Sequence, residues 1–322
     1  MIKRRIVFAS GMVAATWPLA APAQQQPFRL GIMTRSASAR IGSAGMILRE
    51  LDRRGFVEGR NLTVEFRGSD GRTDLYPQHA TELVGLGVSA IYAGGGELAA
   101  RAAQAATRSI PIVVFVDDAV GASLVTSLAR PGGNITGVSL LAAELGSKRL
   151  ALLGEAVPRG ATIAVLGYSA RTTVPFDELK SVAASRDQTL VMVQGDTADT
   201  IAAAIGAARA QGAKGIAILA SSTLFGHASL IVEQTNSLKL PAIFQWPETA
   251  EAGGLLAYGP RYGAIALQLA GIVAKIIGGA RPADIPVEQP TRFDLVINLK
   301  TAKALGLAIP PTILARADEV IE

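Results

Sequence analysis

Residues 90–116 read AIYAGGGELAARAAQAATRSIPIVVFV. Ala90–Ala93 is a short apolar run that enters Gly94-Gly95-Gly96. Glu97–Thr107 is long and Ala-rich enough for a helix, and Ile112–Val116 is a second apolar run opened by Pro111. Short β-type runs separated by a helix-length segment predict a strand–helix–strand unit with parallel strands.

The same rhythm continues on both sides. Toward the N-terminus, Arg29–Thr34 and Leu62–Arg67 read as strands, and Ser43–Arg54 and Leu75–Leu86 as helices ended by Gly55 and Gly87. Toward the C-terminus, Ala122–Ala129 reads as a short helix stopped by Arg130-Pro-Gly-Gly-Asn134, and Ile135–Ser139 as a strand. A second set follows. Its helices are Leu140–Ala156, Pro175–Arg186, Asp199–Gln211 and Leu224–Leu238; its strands are Ile163–Leu166, Leu190–Val193, Gly215–Leu219, Pro241–Phe244 and Leu255–Tyr258. The tail reads as a helix over Tyr262–Ile277, a strand over Phe293–Asn298 and a short helix over Thr301–Leu305.

Alternation of this kind predicts an α/β chain of two lobes, each a mostly parallel sheet flanked by helices, joined by hinge strands. The late elements imply crossings between lobes near Val138–Leu141, Tyr258–Arg261 and Arg292–Leu299. The expected division is residues 24–139 plus about 261–291 in one lobe, and 140–260 plus about 292–322 in the other.

The first 23 residues stand apart. Lys3, Arg4 and Arg5 precede an uncharged apolar run, and Ala21-Pro22-Ala23 offers small residues for cleavage, the pattern of an export signal removed before Gln24. Periplasmic location is therefore expected. Those three basic residues supply most of the formal net charge of +5, leaving +2, and no basic block interleaved with aromatics points to nucleic acid. The chain has no cysteine, which excludes disulfides and thiolate catalysis. His79 and His227 have no neighbours at metal-ligand spacing, and there is no Gly-x-Ser-x-Gly or P-loop. No catalytic residue, metal or cofactor is expected.

Ligands of open α/β sheets bind at the carboxyl ends of strands, so the loops there hold the candidates. They are Thr34, Arg35 and Ser36; Gly95 and Gly96 before a helix start; Asp117 and Asp118; and Ser139 at the first crossing. In the second set they are Tyr168 and Ser169, Ser221 and Ser222, Gln245 and Trp246, and Tyr258 at the second crossing. Arg35 suits a carboxylate or is a solvated surface residue. The glycines suit an anion at a helix terminus or serve a tight turn. The aspartates suit an amine or hydroxyl, or cap the next turn. Trp246 and Tyr168 offer stacking faces or pack beneath their loops.

The segment Leu128-Ala-Arg-Pro-Gly-Gly-Asn134 with Ile135-Thr-Gly-Val-Ser139, the run Gly253–Pro260 (GGLLAYGP), and above all the tail Ala280–Glu322 (ARPADIPVEQPTRFDLVINLKTAKALGL and on to ARADEVIE) resemble the bacterial ABC transporter substrate-binding family related to tryptophan- and other aromatic amino-acid-binding proteins. The resemblance spans the mature chain. It implies a type I periplasmic-binding fold, capture of a small molecule by closure of the lobes, and a membrane permease of an ABC transporter as partner. Where aromatic-binding members often carry a His-Pro pair, this chain has Thr34-Arg-Ser-Ala-Ser-Ala-Arg40, so the ligand stays open. Arg35, the glycines and Trp246 favour a small polar molecule bearing a carboxylate. A monomer is expected. The alternatives are a ligand-sensing module that presents the molecule to a membrane receptor, and a periplasmic enzyme for which no catalytic set can be assembled.

Overall fold

The computed structural model describes residues 27–35, 37–38, 42–140, 142–168 and 176–322. The expected export signal and the candidates Ser36 and Ser169 lie outside the described residues.

The first lobe is built from β1 (Phe28–Thr34), α1 (Gly42–Arg53), β2 (Leu62–Gly68), α2 (Tyr76–Gly85), β3 (Ala90–Ala93), α3 (Glu97–Ala106), β4 (Ile112–Val116) and β5 (Ile135–Ser139). Its strands pair in parallel in the order β2-β1-β3-β4-β5. After α4 (Ala142–Ala156), the second lobe continues with β6 (Thr162–Gly167), α5 (Phe176–Ala184), β7 (Thr189–Gln194), α6 (Ala198–Ala210), β8 (Gly215–Ile218), α7 (Ser222–Gly226), α8 (Ala228–Ser237), β9 (Ala242–Phe244), α9 (Pro247–Glu251) and β10 (Leu256–Gly259). Next comes α10 (Tyr262–Ile277), which packs on α1, β4 and β5 of the first lobe. The chain then forms β11 (Asp294–Asn298), α11 (Leu299–Leu305), α12 (Pro311–Leu314) and β12 (Glu319–Ile321). The second sheet runs β12-β11-β10-β9-β8-β6-β7, with only the β10–β11 pair antiparallel.

Side chains alternate across each strand, and both faces are covered by helices, so each sheet has two cores. In the first lobe Leu30, Ile32, Ala90 and Tyr92 face α1 and α10, whereas Met33, Ile91 and Ala93 face α2 and α3. In the second, Ile163 and Val165 join one core and Ala164 and Leu166 the other. That double burial is why the strands read as continuous apolar runs.

Two elements differ from the sequence expectation. Residues 122–129 form turns, not a helix. The Asp118 carboxylate takes the N–H groups of Val120 and Gly121, the Ala119 carbonyl takes those of Leu124 and Val125, and Ser123 has φ +54°, which breaks the helical ladder. The helix expected over Leu224–Leu238 is split at His227 into α7 and α8. Ser221 caps α7 by accepting from the N–H groups of Thr223 and Leu224. The chain also forms α9, α12 and β12, which its patterning does not announce because none exceeds five residues.

The seam between β5 and the returning chain is tight. Ser139 N–H donates to the Glu288 carbonyl at 2.9 Å and Glu288 N–H to the Gly137 carbonyl at 2.8 Å, while Thr136 Oγ1 donates to the Ile285 carbonyl at 2.8 Å. Gly137 has φ +151°, and a Cβ there would overlap the Val114 backbone. Gly137→Ala is expected to cost about 3 kcal/mol or more, through backbone strain and steric overlap together. Urea denaturation against the parent protein measures it.

Candidate functional site

Both sheets reverse strand order at one point: between β1 and β3 in the first lobe, and between β6 and β8 in the second. Crevices form at such switch points, and the candidate loops surround them. Thr34 is buried at the end of β1, its carbonyl taken by Ser69 N–H. Arg35 extends out of the first lobe, and its Nη1 donates to Thr223 Oγ1 of α7 at 3.2 Å. Gly96, at φ +75°, provides no side-chain cap for α3, leaving backbone N–H groups at the positive end of that helix. Two hydroxyls converge beside it. Tyr76 Oη occupies the space a Cβ on Gly95 would fill, and Ser69 lies next to Tyr76. Their residues are only 1% and 2% exposed, and the two hydroxyls have no hydrogen-bond partner other than each other.

The two aspartates after β4 separate in role. Asp118 is spent on the turn described above. Asp117 instead faces Arg149, which reaches in from α4 of the second lobe. Burial pushes the Asp117 carboxyl up to about 6; Arg149 opposes the rise, while Glu97 and Asp118 add to it. Burial likewise brings the Arg149 guanidinium down to about 10. Arg149 is 2% exposed; its Nη1 donates to the Tyr258 carbonyl at 3.4 Å and its Nη2 has no partner. Ser139 braces this loop, its Oγ accepting from Ala119 N–H at 3.1 Å.

From the second lobe, Tyr168 follows β6 and stands near Tyr76. Ser222 lies against Gly96 across the cleft. Trp246, at the end of β9, meets Phe225 of α7 with ring centroids 5.5 Å apart, Tyr262 of α10 at 5.1 Å, and Phe115 of β4 at 6.1 Å. This aromatic cluster draws on both lobes. Gln245, beside Trp246, is buried. Tyr258 turns its ring into the second lobe's core, where it stacks near Phe293 and its hydroxyl accepts from Lys148 Nζ at 2.6 Å; only its carbonyl reaches Arg149.

The structure thus places Arg35, Gly95, Gly96 and Asp117 at neighbouring strand ends of the first lobe, sets Trp246 in the aromatic cluster, and directs Asp118 and the Tyr258 ring elsewhere. It adds Ser69, Tyr76, Phe115, Arg149, Thr223, Phe225 and Tyr262. Arg149 carried a signal in the sequence: it falls on the apolar stripe of Leu145, Leu152, Leu153 and Ala156, where a charge is costly unless used. Ser69 and Tyr76 carried none. Among the described residues no three His, Cys, Asp or Glu side chains gather as a metal site, and no helix is long and apolar enough to cross a membrane.

The folded chain holds the Asp117 proton up to about pH 6, whereas an unfolded chain releases it near pH 4. Protonation therefore favours the fold, and this residue's contribution to stability falls as pH rises from about 4 to 6. Above that range the buried charge costs roughly 2–3 kcal/mol. Asp117→Asn is expected to melt above the parent protein at pH 7.5, with the difference vanishing near pH 4; thermal melts across that range measure it.

A family model described as ABC transporter substrate binding protein matches residues 37–321. The tyrosine-binding protein of Clostridioides difficile is 26% identical over 265 residues, covering 81% of this chain and 75% of that protein. A crystal structure of a conserved domain protein from Vibrio cholerae superposes with a TM-score of 0.82 at 28% identity, covering 92% of this chain and all of that one. The ABC domain from Streptococcus pneumonia, in complex with L-Trp, superposes at 0.79 with 24% identity over the same shares and shares the fold. With the type I periplasmic-binding architecture in place, the match over nearly all of the described chain settles its membership: this chain belongs to the ABC transporter substrate-binding protein family.

Proposed function

We propose that the chain, exported to the periplasm with loss of residues 1–23, captures an α-amino acid between its two lobes and delivers it as a monomer to a membrane permease. The observation that carries this reading is the placement of opposite recognition chemistry on neighbouring strands. The end of β3 leads to the uncapped start of α3, with the Ser69 and Tyr76 hydroxyls and Arg35 beside it, a cradle for a carboxylate. The end of β4 carries Asp117, an acceptor for an ammonium. Paired strands lie about 4.8 Å apart, which suits the two charges of a zwitterion joined through one carbon. The tyrosine-binding relative and the L-Trp complex support an amino acid as the class.

Arg149 serves this arrangement from the second lobe. Its charge favours ionised Asp117, and it adds a donor to the closed cleft. The Arg35–Thr223 bond and the Gly96–Ser222 contact are of the kind that closure makes. A ligand held by both lobes binds the closed form better and shifts the population toward it. The lobes bend about the crossing segments, and the cleft performs no chemistry: its groups hold charge and exclude water.

A thermal-shift and calorimetric screen of residues 24–322 against amino acids, organic acids, sugars and nucleosides tests the reading. α-Amino acids are expected to raise the melting temperature. Equal binding of the matching organic acids, which lack the amine, would overturn the zwitterion reading. Asp117→Asn is expected to weaken amino-acid binding about 10- to 100-fold, the worth of a charge-assisted hydrogen bond. Affinity in the parent protein is expected to fall as pH drops below about 6, where Asp117 takes up its proton, and to lose that dependence in the variant.

A further inference from the structure

Lined in part by Trp246 and Phe225, within the second lobe, lies a cavity of about 20 Å³. Ile218, Leu224 and Phe244 give it apolar walls, and Ser221, Gln245 and Thr249 provide its polar groups. Gln245 is 6% exposed, and its Nε2 has no hydrogen-bond partner. The Ser221 Oγ accepts from two backbone N–H groups, but its own proton goes to no acceptor among the described residues. An unpaired amide in an apolar wall is costly to the empty protein, and a ligand that pairs with it recovers that cost. The space admits one water-sized group, too little for a ring or a branched chain but enough for a hydroxyl or the oxygen of an amide.

We infer that Gln245 is a specificity-determining residue: it selects amino acids whose side chain has an apolar body, set against Trp246 and Phe225, and ends in an uncharged oxygen-bearing group that enters the cavity. The inference rests on the amino-acid reading above. Neither a hydrocarbon tip nor a charged one fits, because the first leaves both donors unpaired and the second is buried without a counter-charge.

Calorimetry with two matched pairs, L-tyrosine against L-phenylalanine and L-glutamine against L-methionine, tests it on the mature protein and on Gln245→Met. In the parent protein the tyrosine member, the glutamine member or both are expected to bind about 10- to 100-fold more tightly than their partners. Gln245→Met is expected to bring each ratio to within about threefold and to melt no lower than the parent, since it removes an unpaired buried amide. Equal binding within both pairs by the parent protein would overturn the role of Gln245 and leave the amino-acid reading intact. Ratios unchanged in Gln245→Met would do the same, as would a variant that melts well below its parent, which would mark the amide as structural. Absence of binding by all four amino acids and by the rest of the amino-acid panel would overturn the amino-acid reading and this inference with it.

Discussion

Helices cover both faces of both sheets, and this constraint governs the rest of the molecule. Strands such as β3, β5 and β8 are buried along their whole length, so their side chains are not free to meet a ligand. Recognition is confined to the strand ends, where the backbone leaves the sheet and polar groups find room. Because the strands of each lobe run parallel, their carboxyl ends gather on one edge. Two such edges facing each other make a cleft, and the passages between lobes decide how the edges meet.

Those passages are held on both sides by different physics. On the first-lobe side the returning chain at Ile285 and Glu288 is bonded to β5 by backbone and hydroxyl groups, with Gly137 admitting the close approach of Val114. On the second-lobe side Arg261 gathers the carboxylates of Glu251, Asp294 and Glu319, with Arg292 adding to Asp294. Burial alone would raise the Asp294 carboxyl, but the two guanidinium groups hold it below its ordinary value. The crossing at Tyr258–Tyr262 is thereby tied to both the third passage and the last strand.

Within the cleft, polar groups are left without partners where a folded chain ordinarily pairs them. Arg149 and Gln245 each carry a buried atom without a bond, Ser69 and Tyr76 have no partner but each other, and His79 and Glu248 also carry unpaired atoms. Such atoms are expensive unless something else satisfies them. In the second lobe's core, by contrast, Thr235, Asn298 and Thr301 are buried and hydrogen-bonded.

Much of the fold is legible in the sequence. Apolar runs of strand length alternating with helix-length segments follow from double burial, and runs such as Ala90–Ala93, Ile112–Val116 and Ile135–Ser139 coincide with β3, β4 and β5. Strand-end position alone marked the loops holding Arg35, Gly95, Gly96, Asp117 and Trp246. The segment at 122–129 misled because its composition allows a helix, while the Ala119 carbonyl takes the N–H groups of Leu124 and Val125 and Asp118 holds the turn just before it. Other features depend on distance in the chain. Arg35 and Thr223 are 188 residues apart. Arg149 and Asp117 come from different lobes and feel each other's charge, and Tyr258 turns inward while Tyr262 joins the aromatic cluster because the strand ends between them. Periodicity reports which face of an element is buried, since burial is a local pattern. Which groups meet across a cleft is set by how two finished lobes are held together, and no local pattern records it.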